Sequence, residues 1–220
     1  MFNASIIPVL AICVGFFQAE TKLDLFSGDL NVGYGTYKES TDRQGHRTSR
    51  FQIRSREDSG SKTEVVLVKV IDGQGFPIRE EETITLQEGK KRTERVLVVR
   101  YDESGAAHLT EQRGKTRFSE RIYMPIPGYS RADASDLWFS KTRPLPGTTV
   151  TSTVFDIEHS RWRVVETTYI GKRWIVVGGR QVEAHEVRDI RDGNIRKLYL
   201  DDRGQPVLMK NGQMRTEKHF

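Results

Sequence analysis

Proton transfer in this chain would fall to a few side chains. Five histidines are present, His46, His108, His159, His185 and His219, together with the acidic run Glu80-Glu81-Glu82. No two histidines stand at a metal-ligand spacing, so no metal is expected and each reads as a solvated or hydrogen-bonded imidazole. His185 differs in lying between Glu183 and Glu186 in a strand-like run, where a carboxylate beside it would make an acid–base pair. In a strand, Glu80 and Glu82 share one face and Glu81 the other. Paired carboxylates suit glycoside chemistry. The plainer expectation is an exposed strand face neutralised by nearby Lys and Arg.

Other chemistries are excluded by composition. There is no G-x-S-x-G elbow, no phosphate-cradling G-x-x-x-x-G-K-[ST] and no dinucleotide glycine fingerprint, so no cofactor is expected. The only cysteine, Cys13, lies in an apolar N-terminal run. Ile12 precedes it, which is not the small residue that a lipid-attachment signal uses. Once that run is removed, disulfides and thiolate chemistry are unavailable. The aromatic residues are the remaining resource. Tyr34, Tyr129, Leu137, Trp138, Phe139, Trp162 and Trp174 are the candidates for lining an apolar trough, which can bind a ligand without any catalytic residue.

These residues must be positioned by β-structure. Asp42-Arg43-Gln44-Gly45, Asp72-Gly73-Gln74-Gly75, Asp102-Glu103-Ser104-Gly105 and Asp201-Asp202-Arg203-Gly204 repeat one D-x-x-G unit. Aspartate accepts a backbone N–H at the first turn position, and glycine takes φ > 0 at the last. Alternating apolar and polar runs flank each unit, so each is predicted to be a hairpin tip. Residues 31–123 then hold roughly seven strands and the region after 147 at least six. Two prolines in Met124-Pro125-Ile126-Pro127 interrupt the pattern, and a short helix is expected near 131–140. Glycines in Asn31 to Tyr37 would bend that strand or admit another backbone. The predicted fold is all-β: a large curved antiparallel meander, a half-barrel or open barrel, with one short helix.

The domain organisation follows. Ile6 to Phe17 carries no charge and is too short for a membrane span but fits the apolar part of an export signal, so residues 1–19 are expected to be a signal peptide. Residues 20–220 are read as a single β domain, with sheet halves 30–123 and 147–219 joined by the proline-rich linker. The net charge is +5, yet basic and acidic residues are interleaved. Such mixing points to a solvated face and away from a nucleic-acid partner.

The stretch Trp174-Ile175-Val176-Val177-Gly178-Gly179-Arg180-Gln181-Val182-Glu183-Ala184-His185-Glu186-Val187, followed by Lys197-Leu198-Tyr199-Leu200-Asp201-Asp202-Arg203-Gly204-Gln205-Pro206-Val207-Leu208-Met209, resembles bacterial exported β-domains of unknown function that accompany transglutaminase-like proteins. It also resembles, more distantly, the curved half-barrels of envelope lipoprotein carriers. The resemblance implies an exported β-sheet protein and assigns no catalytic residue. The leading functional expectation is a periplasmic or extracellular, non-enzymatic carrier or scaffold. Its partner would be an apolar or amphipathic small molecule, a lipid, or another envelope protein. Two alternatives stand beside it: an enzyme acting on envelope polymers through His185 and a carboxylate, and a basic surface-binding module.

Overall fold

The computed structural model describes residues 16–17, 20–55, 61–124 and 135–220. The apolar run 6–17 lies outside them except for β1 (Phe16–Phe17), which pairs with Ser40 and Thr41. Tyr129 also lies outside them.

Two meanders make one sheet. The first comprises β2 (Thr21–Ser27), β3 (Leu30–Thr41), β4 (Arg47–Ser55), β5 (Ser61–Ile71), β6 (Pro77–Glu88), β7 (Lys91–Tyr101), β8 (Ala107–Arg113) and β9 (Thr116–Ile122). The second comprises β10 (Thr149–Asp156), β11 (Arg161–Val177), β12 (Arg180–Arg191), β13 (Asn194–Leu200), β14 (Pro206–Asn211) and β15 (Met214–Lys218). Within each meander, every strand pairs antiparallel with its neighbour in sequence. The meanders join at a seam, where β15 pairs with β2 from Met214↔Ser27 to Lys218↔Leu23. β2 is thus the strand that unites the halves.

The D-x-x-G tips fold as expected. In the first, Asp42 Oδ1 accepts the N–H groups of Gln44 and His46 at 2.8 and 2.9 Å. Gly45, Gly75, Gly105 and Gly204 all have positive φ, from 80° to 99°. That geometry excludes a side chain at little cost only for glycine.

The half-barrel or open barrel is not what forms. The ladder is an open path ending at β9 and β10, not closed into a barrel and not strongly curled. Closure requires both terminal strands to offer free edges to each other. β9 instead exposes almost every residue, with Arg117, Glu120 and Arg121 along it, and charged edges of this kind resist further pairing. The region near the two ends is joined by side chains. Leu97, Val99, Ala107 and Leu109 of β7 and β8 pack with Phe155 of β10, and the Trp162 indole N–H donates to the Ile122 carbonyl at 3.2 Å. Fully burying a leucine is worth about 1.5–3 kcal/mol, so Leu97 and Leu109 anchor this contact.

One helix is present among the described residues, α1 (Ser135–Thr142). Trp138 and Phe139 pack on Tyr169, Val187, Leu198 and Leu200. Lys141 at its end reaches the carbonyls of Gly73 and Gln74, so α1 spans from the second meander to a hairpin tip of the first. No described helix is long and apolar enough to cross a membrane.

β11 carries a bulge between Tyr169 and Gly171, where φ is 130°. A bulge shifts the alternation by one residue. Beyond it β10 no longer pairs, and β11 and β12 continue as a ribbon. Val177 and Ala184 of that ribbon pack on Tyr199, Val207 and Leu208, while Trp174 and Val176 face solvent.

Candidate functional site

A cavity of about 610 Å³ lies between β3–β6 and the strands β10–β14. Its apolar lining comes from both sides, Tyr37, Phe51 and Leu67 on the first and Leu198, Leu200 and Met209 on the second. The other residues lining it are largely charged, and these give it chemistry.

Glu82 is placed by register. In the ladder it lies between Leu67 on β5 and Leu97 on β7. It is 8% exposed, and its Oε1 has no hydrogen-bond partner among the described residues. Burial pushes the carboxyl above its usual range, and the charge of Glu158 adds to this. Arg95 opposes the shift and Asp156 adds a further rise. An unpaired buried carboxyl resists ionisation because the charged form loses its water. Glu80 shares this face and lies 3.5 Å from Lys69 Nζ. The expected exposed, neutralised strand face is therefore corrected at Glu82, because the leucines on either side exclude water from it.

The β10–β11 turn contributes the second group. Its tip, Ile157–Ser160, is closed by Ser160 at φ 53°. This brings donor atoms of Asp156, Glu158 and His159 within 4.8 Å of one another. The His159 N–H donates to Asp156 Oδ1 at 3.2 Å, and its ring Nδ1 lies 3.0 Å from Oδ2. Arg163 Nε lies 2.5 Å from the same oxygen. All four residues line the cavity. The cluster holds one histidine, so it is a mixed carboxylate–imidazole set and not a pair of histidines. The donors come from one short turn, Asp156-Ile157-Glu158-His159, and their closeness in sequence was the available signal.

Cations are held at the opposite side by Asp189, which is fully enclosed. It accepts from Thr167 Oγ1 at 2.9 Å and from Arg196 Nε at 3.2 Å, and Arg191 lies 3.5 Å away. Arg191 and Arg196 line the cavity. A buried carboxyl, a carboxylate–imidazole cluster and guanidinium groups held by Asp189 therefore line one space.

His185 has the carboxylate that its sequence context called for, though from neither flanking glutamate. Asp202, second residue of the fourth D-x-x-G tip, places Oδ1 2.9 Å from Nε2. Tyr169 Oη lies 2.9 Å from Nδ1. Burial raises the Tyr169 phenol, whereas the His185 hydrogen bond, followed by the Lys172 charge, lowers the Asp202 carboxyl. Phe139 packs on the imidazole with ring centres 4.7 Å apart. Both ring nitrogens are thus engaged, and the arrangement ties α1, β11, β12 and a hairpin tip together.

The aromatic candidates are dispersed. Trp138 and Phe139 are buried under α1. Trp162 packs with Tyr101 and Phe155. Tyr34 and Trp174 stand exposed on β3 and on the ribbon, so they share no patch with the buried pair. The Leu137 side chain and Tyr129 lie outside the described residues. None of the five described aromatics lines the large cavity. The exposed apolar surface includes Trp174 and Val176, which stand two residues apart on one face of the ribbon.

No protein-family model matches this chain, and no curated protein matches it. Among solved structures it is similar to a β-barrel-like protein of a domain of unknown function, DUF1849, from Brucella abortus. That structure is 14% identical over 92% of this chain and 95% of the other, with a TM-score of 0.62. At this identity the likeness is one of fold. It agrees with the resemblance to bacterial β-domains of unknown function and carries no link to transglutaminases or lipoprotein carriers.

Proposed function

We propose that this protein is a hydrolase whose active site is the cavity between Glu82 and the Asp156–Glu158–His159 turn, acting on a polar polymer unit of the cell envelope. The observation that carries the reading is Glu82, a buried carboxyl with an unpaired oxygen, lining the same cavity as a carboxylate–imidazole cluster. In the reaction the cluster takes a proton from water as the water oxygen attacks the scissile centre. The bond to the leaving oxygen breaks, and Glu82 delivers its proton to that oxygen. Environments that separate two sets of carboxyls in this way assign acid and base roles. Arg163, Arg191 and Arg196 would hold an anionic group of the substrate beside the reacting bond. Export belongs to this reading through the apolar run 6–17.

The test is turnover of fluorogenic glycosides and aryl esters by the purified chain. A general acid contributes about 10²–10⁴-fold, so Glu82→Gln is expected to lower kcat by at least about 100-fold while the protein stays folded. A folded Glu82→Gln protein with undiminished turnover, or no turnover of any substrate by the wild type, overturns it.

A second reading is binding of an amphipathic ligand without reaction, favoured by the apolar lining of the same cavity. Native mass spectrometry of protein purified from an exporting host would show a co-purified ligand under this reading. Met209→Arg would displace that ligand.

A further inference from the structure

The Asp156–Glu158–His159 turn has the donors of a metal centre, and we infer that it binds one divalent transition-metal ion, zinc above all, at the cavity wall. The inference rests on the reading of this cavity as the working site, and it goes further by naming an ion.

Three observations support it. The donors are two carboxylates and one imidazole from a single tight turn, within 4.8 Å of one another. A tetrahedral ion with bonds of about 2.1 Å sets its ligands about 3.4 Å apart, so the side chains need only close inward. Glu158 and His159 are exposed on the turn, where a rotamer change is cheap, while Asp156 is tethered by Arg163. The second observation lies outside the turn. Glu82 is more than nine-tenths buried, its Oε1 has no partner among the described residues, and it lines the same cavity as the turn. Asp156 already has Arg163 beside it, so a dication there would chiefly neutralise the exposed Glu158 and offer the unpaired Glu82 oxygen a partner. The third is chemical. One nitrogen and two or three oxygens form a mixed set that suits Zn²⁺ better than the all-oxygen set of Ca²⁺. Three protein ligands leave a fourth position for water, the arrangement of zinc sites that activate a nucleophile.

Other histidines also sit beside aspartates, among them His219 with Asp24 at 2.8 Å and His108 with Asp102 at 2.8 Å. Those pairs bring one carboxylate each and serve as internal controls.

The test is isothermal titration of Zn²⁺ and of Ca²⁺ into the untagged chain, with metal content read by mass spectrometry after dialysis. One equivalent of Zn²⁺ is expected, with Ca²⁺ at least about 10-fold weaker. His159→Ala and Glu158→Gln should each weaken zinc binding at least about 10-fold, and His219→Ala should leave it unchanged. No zinc binding by the wild type, or binding that survives the double change at 158 and 159, overturns the inference. Zinc bound without hydrolysis would sink the hydrolase reading alone. Hydrolysis that depends on Glu82 in a protein that takes up no zinc would sink the metal alone.

Discussion

Asp202 reaches back from its hairpin tip to set Oδ1 2.9 Å from His185 Nε2, while Tyr169 Oη occupies the other ring nitrogen at 2.9 Å. The two ends of this relay differ in exposure. Tyr169 is buried and Asp202 is largely exposed. Tyr169→Phe leaves a buried nitrogen without its partner, at a cost of about 1–2 kcal/mol. That corresponds to a melting temperature lowered by about 2–8 °C. Asp202→Ala should cost less, because water replaces the carboxylate. Calorimetry of the two variants decides, and a larger loss for Asp202→Ala would refute the assignment of the buried end as the costly one.

Asp102 sets a pH dependence. The Ser104 hydroxyl, then His108, the Ala106 N–H and Arg121 hold its carboxyl far below the usual range. The folded value lies below the unfolded value of about 3.9, so the stabilisation is complete above that pH and is lost as pH falls through the folded value. Asp102→Asn should lower the melting temperature at pH 7 and flatten its decline between about pH 4 and pH 2. Parallel melting curves of the two proteins over that range would rule this out.

Gly33 and Gly35 have a steric role on β3. A Cβ at Gly33 would stand 2.3 Å from the Arg54 carbonyl oxygen, and one at Gly35 2.6 Å from that of Gln52. Both obstacles are backbone of β4, which must shift. Gly33→Ala and Gly35→Ala should each cost about 1–3 kcal/mol by chemical denaturation. At Gly73 the nearest atom to a Cβ is 3.7 Å away, so Gly73→Ala should fall within about 1 kcal/mol of wild type.

Asp189 is the anchor of the cavity's cations. Asp189→Ala removes the buried carboxylate from Thr167, Arg196 and Arg191. Arg191 and Arg196 keep about a third of their side-chain surface in water, so the loss is expected at about 1–3 kcal/mol. Urea unfolding should show that loss, and a change under about 1 kcal/mol would mean that the arginines find solvent or another acid.

The local grammar of this chain was legible in its sequence. Asp42, Asp72, Asp102 and Asp201 with their glycines announced the hairpin tips, and alternation announced strands in 31–123 and after 147. The glycines of β3 announced a close backbone approach. Such signals are local because turn dihedrals and strand periodicity are set within a few residues. The site was not legible, because it depends on pairings far apart in the chain. Glu82 reads as a surface residue until register sets it between Leu67 and Leu97, and Asp202 reads as a turn residue until the fold brings it to His185. The half-barrel failed for the same reason. Alternation gives each strand two faces but not how the sheet ends, and only the tertiary structure left β9 and β10 as unpaired edges and joined β15 to β2. The sequence by itself determined the turns, the strands and the absence of familiar nucleotide and serine-hydrolase motifs. Burial, which sets whether a carboxylate is solvated, and the spacing of donors across strands were decided by the tertiary structure alone.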